Sequence, residues 1–146
     1  MRSRSSGFTL VELLICVVVV GVIAAIGIAN FGAMQKRARE ASTKSNMHTF
    51  QLAAEDYAVR YGSVYATDAS QVAALLPQSG NIFYNPFFKT IGSGEAWSDQ
   101  STWARPLATG STRAGIVVYG DSSAARYQIV CRGASADLPL ILSSGQ

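Results

Sequence analysis

Histidine occurs once in this 146-residue chain, cysteine twice and proline four times, with no proline before Pro77. His48 stands beside Lys44 and Asn46, without a nucleophile and an orienting group spaced to form a catalytic set. The acids are scattered. Glu55 and Asp56 are adjacent, so on a helix they diverge by about 100° and make no ready acid–base pair. Asp121 and Asp137 stand alone, which gives too few hard oxygen ligands for a metal. No CxxC or HExxH spacing is present, and Gly92-Ser93-Gly94 lacks the lysine and helix start of a phosphate cradle. These absences argue against an enzyme and leave no metal or cofactor assigned. A net charge of +3, with Arg2 and Arg4 supplying two of the positive charges, is too small to predict nucleic-acid binding. Cys16 falls in an apolar run and Cys131 in a distal strand pattern, so no intramolecular disulfide is expected. Cys131 reads as a small buried residue.

What the chain does have is an uneven distribution of apolar residues. From Leu13 to Met34 nothing carries a formal charge. At about 1.5 Å per residue a helix over this run reaches roughly 30 Å, the thickness of a bilayer's hydrocarbon core. Arg2 and Arg4 precede it, which predicts a cytoplasmic N-terminus and a translocated C-terminal bulk. Two ordinary readings compete. A secretory signal would be cleaved after Gly27-Ile28-Ala29, but its apolar core is normally shorter and free of acids. A plain single-pass anchor gives no reason for Glu12, whose carboxylate costs about 2.5–3.5 kcal/mol if it lies deep in lipid without a partner.

The stretch Gly7-Phe8-Thr9-Leu10-Val11-Glu12-Leu13-Leu14 resembles the class III signal of type IV pilins and pseudopilins: a short basic leader ending in glycine, then phenylalanine, then a glutamate four residues on. The resemblance is specific over residues 2 to 40 and weak beyond. It implies cleavage between Gly7 and Phe8 by prepilin peptidase and N-methylation of Phe8. It also implies insertion in the bacterial inner membrane as a single-pass precursor, contact with an inner-membrane assembly platform, and polymerisation with copies of itself or related subunits. The resulting filament would lie in the periplasm or at the cell surface. Glu12 would then be an assembly residue that meets the N-terminal amine of a neighbouring subunit, where opposite charges in a low-dielectric setting offset part of each other's desolvation. Many members carry a proline near the position of Ala29, and many close a C-terminal loop with a disulfide; this chain has neither. Gly21, Gly27 and Gly32 remain as points of weak helix propensity or close helix approach.

Beyond Met34 the chain turns polar without a helix breaker until Gly62, so one helix is predicted from about Phe8 to Tyr61. Met47, Phe50, Ala54, Tyr57, Ala58 and Tyr61 form an apolar stripe along its second half. Lys36, Arg37, Arg39 and Lys44 make a basic collar fit for lipid headgroups or for a filament contact. A short helix capped by Asp68 or Ser70 and stopped by Pro77 follows. Phe83, Tyr84, Phe87 and Phe88 around Asn85-Pro86 are expected to roof the core, with ligand stacking as the alternative. Residues 92 to 113 read as a long surface loop carrying Trp97 and Trp103, either of which could cap the core or anchor an interface.

Strands are predicted at Ala114–Tyr119 and Ala125–Arg132 around a turn at Gly120–Ser123, with a third at Leu138–Leu142 whose Pro139 favours a sheet edge. Tyr127, Ile129 and Cys131 share one face of the second strand, and Arg126, Gln128 and Arg132 the other. The expected fold is α+β and pilin-like, with a long N-terminal helix packed on a C-terminal antiparallel sheet. Its segments are a leader (1–7), a membrane and filament-core half-helix (8–34), an amphipathic half-helix (35–61) and a globular head (62–146). The function expected is that of a structural pilin, with a type II secretion pseudopilin as the alternative and a non-polymerising membrane-anchored binding domain as a third reading.

Overall fold

The computed structural model describes residues 7–100, 109–110, 112–122 and 124–144. Arg2, Arg4, Trp103 and Pro106 lie outside the described residues. The chain divides into two units, residues 1–36 and residues 37–146. The described part of the first unit is helical from Leu10 on, the start of the 51-residue helix α1 (Leu10–Arg60). Its apolar side chains are exposed on every side. An 18-residue window reaches a mean hydropathy of 2.9 with none of it buried. A helix apolar all round and unburied is long and greasy enough to cross a bilayer.

The second unit is built on the C-terminal part of α1. Met47, Phe50, Ala53, Ala54 and Ala58 are buried there. The ring of Phe50 lies 5.7 Å from that of Phe83, 6.1 Å from Tyr119 and 6.4 Å from Trp97. Burial of such a side chain contributes about 1.5–3 kcal/mol. The predicted stripe stops short of its last member, because Tyr61 is exposed beyond the end of the helix. Gly62 at φ 71° terminates α1, and the Ser63 amide donates to the Ala58 carbonyl at 2.8 Å, the six-to-one bond of a left-handed C-terminal cap.

Helix α2 (Ala69–Ala73) starts where Asp68 accepts from the Ser70 amide at 2.6 Å. A 3-10 turn at Pro77–Gly80 follows. The sheet has the order β1-β2-β3-β4 with β1 Trp97–Gln100, β2 Val117–Ser122, β3 Arg126–Cys131 and β4 Leu142–Ser143. Strands β2, β3 and β4 pair antiparallel, but β1 runs parallel to β2 with Trp97 opposite Val117. The sheet is therefore mixed, and an edge strand occupies part of the stretch expected to be loop.

The hairpin pairing continues to Ser122↔Arg126, through residues expected to turn, and Ala124 makes the reversal at φ 60°. Leu138–Leu142 is not a strand as a whole. Leu138 instead donates its amide to the Cys131 carbonyl at 2.9 Å, and ladder pairing begins only at Leu142. Pro139 has no amide to contribute to a ladder. Tyr127, Ile129 and Cys131 turn to the core against α1, fully buried. The opposite face is less polar than expected, since Val130 joins Ile116 and Val118 in a small second cluster.

Candidate functional site

Residues 7 to 9 precede the N-terminal helix outside any regular element. Gly7 and Phe8 precede the helix and both are exposed, so the bond between them lies outside regular hydrogen bonding. Thr9 caps the helix. Its hydroxyl accepts from the Glu12 amide at 3.3 Å, while the Glu12 carboxylate accepts from the Thr9 amide at 3.0 Å and from the Thr9 hydroxyl at 2.9 Å. This is a reciprocal capping box, which satisfies amides that a helix start otherwise leaves open and places a negative charge at the positive end of the helix dipole. Both Thr9 donors fall on Oε2; among the described residues Oε1 carries no bond. The resemblance implies a partner for Glu12 on another subunit; the structure adds this local one. Its signal, a threonine three residues before a glutamate at the head of an apolar run, is present in the sequence.

The remaining candidates sit in the head. His48 is exposed on α1. Glu55 and Asp56 part company: Asp56 pairs with Arg60 at 2.8 Å on the surface, whereas Glu55 turns to the sheet. There it accepts from the Tyr127 hydroxyl at 2.5 Å and the Tyr65 hydroxyl at 3.2 Å. Burial, then the facing carboxylate, raises the pKa of both tyrosines above the usual phenol range. Burial also pushes the Cys131 thiol up to about 12, which keeps it protonated and unreactive. Asp137 is pushed up by burial but ends below its usual range, because Thr109 donates to it through both hydroxyl and amide and Arg132 lies 3.1 Å away. Among the described residues no group of three His, Cys, Asp or Glu side chains could hold a metal ion.

The loop expected to roof the core does so through Phe83 alone; Tyr84 and Phe88 point outward and Phe87 is half-buried. Its organiser is Asn85, fully buried, a residue that sequence reasoning passed over as part of a turn. Its Nδ2 donates to the carbonyls of Glu95 at 2.9 Å and Ala114 at 2.8 Å, and its Oδ1 accepts from the Phe87 amide at 2.8 Å.

Residues 2–28 match the family model of the prokaryotic N-terminal methylation motif. The chain is also similar to the type IV major pilin protein PilA of Myxococcus xanthus (strain DK1622), with 39% identity over 54 residues. That match covers 37% of this chain and 24% of the relative. No solved structure matches the chain. The motif and this relative support a type IV pilin likeness in the N-terminal segment.

Proposed function

We propose that this chain, type IV pilin-like in its N-terminal segment, is the structural subunit of a type IV pilus-like filament rather than an enzyme. Prepilin peptidase cleaves it between Gly7 and Phe8, Phe8 is N-methylated, and the apolar half of α1 moves from the inner membrane into the filament core. The observation that carries this reading is the signal itself: an exposed Gly7–Phe8 bond outside regular structure, immediately ahead of a capped apolar helix with Glu12 in its first turn. Cleavage leaves Thr9 and Glu12 in place and creates a cation at Phe8. Oε2 stays engaged by the cap, and Oε1 is the oxygen through which Glu12 meets the amine of a neighbouring subunit. Such a pair is worth most where water is excluded.

The pilus reading is favoured over a type II secretion pseudopilin by the likeness to a major pilin. Mass spectrometry of the mature N-terminus tests the processing: a methylated Phe8 is expected, and an intact Met1 or a start at Asn30 would refute it. Filaments on the cell surface, as against a secretion defect on deletion, separate pilus from pseudopilus.

A further inference from the structure

We propose that the hairpin at residues 82–91 is a lipid-contacting surface that rests the head on an anionic bilayer while the chain is still membrane-anchored. The proposal rests on reading the apolar run as a membrane span. The hairpin is closed by a Tyr84↔Ile91 bridge, by the Asn85 amide on the Thr90 carbonyl at 2.8 Å, and by the Lys89 amide on the Asn85 carbonyl at 2.8 Å. With the Asn85 side chain locked inward, the turn presents apolar groups to solvent at little further entropic cost. Ile82 (51%), Tyr84 (45%), Phe88 (54%) and Ile91 (49%) are exposed, a cluster that a soluble head has no internal reason to display.

Two observations select a bilayer surface as the occupant. The first is composition. Each outward aromatic carries a cation, with Lys89 4.7 Å from the Tyr84 ring centre and the Arg113 guanidinium 4.8 Å from that of Phe88, and the Arg39 guanidinium lies 5.8 Å from the half-buried Phe87. No acidic residue occurs between Asp68 and Glu95, and Glu95 is neutralised by Arg113. Amphipathic aromatics with basic companions are what the headgroup layer of an anionic membrane retains. The second is tether length. Asn46 on α1 donates to the Tyr84 carbonyl at 3.0 Å, so the hairpin is pinned to the stretch of helix that includes Arg39. Arg39 follows Met34 by five residues, which span at most about 17 Å even fully extended. A span that ends near Met34 therefore keeps Arg39, whose guanidinium touches the hairpin's Phe87, within that chain length of the interface.

The test uses the full chain reconstituted in phosphatidylcholine vesicles with or without phosphatidylglycerol. Phe88→Trp supplies a depth probe at an exposed position, read against the unaltered chain with its own Trp97 and Trp103. Lipids brominated near the headgroup should quench the Phe88→Trp probe in anionic vesicles and much less in neutral ones. Lys89→Gln should weaken docking about fivefold, the size of one basic residue's attraction to an anionic surface. A chain that does not float with vesicles overturns the membrane-span reading and the docking with it. A chain that floats but whose probe is quenched no more by brominated than by plain lipid overturns the docking alone. A probe shielded equally in detergent, and more so at higher protein-to-lipid ratio, shows that a second copy covers the hairpin, and this too overturns the proposal.

Discussion

Replacing Asn85 by alanine should destabilise the head more than any exposed substitution in the same loop. The side chain is fully buried and makes three hydrogen bonds, two donated to the carbonyls of Glu95 and Ala114 and one accepted from the Phe87 amide. Each such bond contributes about 1 kcal/mol net, and each buried partner left without one costs about 1–3 kcal/mol. The expected loss is about 3–6 kcal/mol, a large part of the roughly 5–15 kcal/mol that holds a domain together. At about 4 °C per kcal/mol, the melting temperature of the head should fall by about 12–24 °C.

The assay is denaturant unfolding of the full chain in nonionic detergent, followed by near-ultraviolet circular dichroism, with exposed Asn81→Ala as the control that should stay within about 0.5 kcal/mol. Asn85→Asp sharpens the test, because an ionised carboxylate there would face two carbonyl oxygens. Its folded-state pKa should be raised, so relative to the unaltered chain it should regain stability as pH falls through that pKa. A loss under about 1 kcal/mol for Asn85→Ala at unchanged denaturant slope would refute the view that this residue organises the loop.

Gly115→Ala should be similarly severe, since Gly115 sits at φ 80° and an added Cβ would lie 2.3 Å from Asn85 Oδ1 and 2.7 Å from the Phe87 ring; a cost of about 3 kcal/mol or more is expected in the same unfolding assay. Alkaline pH should unfold the head. Cys131, Tyr119 and Tyr127 are buried with pKa values raised above 9.0 for the thiol and 10.0 for the phenols, so below pH 9 nothing is lost, and above it the unfolded chain ionises first. At about 1.4 kcal/mol per group per pH unit, roughly 4–6 kcal/mol should be lost between about pH 9 and 11, and a flat midpoint over that range would contradict the burial. Glu12→Gln separates two roles of one residue, because glutamine can complete the capping box but carries no charge. If charge pairing drives assembly, Glu12→Gln should insert normally and form no filaments by electron microscopy, whereas Thr9→Val, which weakens the cap by about 1 kcal/mol, should still assemble.

Those features that repeat at a fixed period were legible in the sequence, and those that depend on one long-range partner were not. The Met47, Phe50, Ala54, Ala58 stripe follows helical spacing, and Tyr127, Ile129 and Cys131 follow strand alternation, so both buried faces could be read directly. Trp97-Ser98-Asp99-Gln100 shows no alternation, and all four residues are half-buried. Its strand exists because β2 offers a parallel edge, which no local pattern announces. The apolar run at 138–142 misled in the opposite direction, since an apolar stretch with a proline need not join a ladder. Asn85 resembled a turn residue because asparagine before proline usually is one, and only its distant partners at Glu95 and Ala114 turn it into an internal strut. Helical spacing separates Glu55 from Asp56, but its partner Tyr127, 72 positions along the chain, is announced by no local pattern.

Glu12 belongs to neither group. Its local pattern, a threonine three residues ahead, is legible in the sequence, and the same carboxylate also suits a partner on another subunit. The two roles are compatible in chemistry, since the cap occupies one carboxylate oxygen and the proposed pairing with a neighbour's amine would use the other. A carboxylate already oriented by its own threonine loses less freedom on meeting that amine than one swinging free, so the cap lowers the entropic cost of the pairing proposed for assembly.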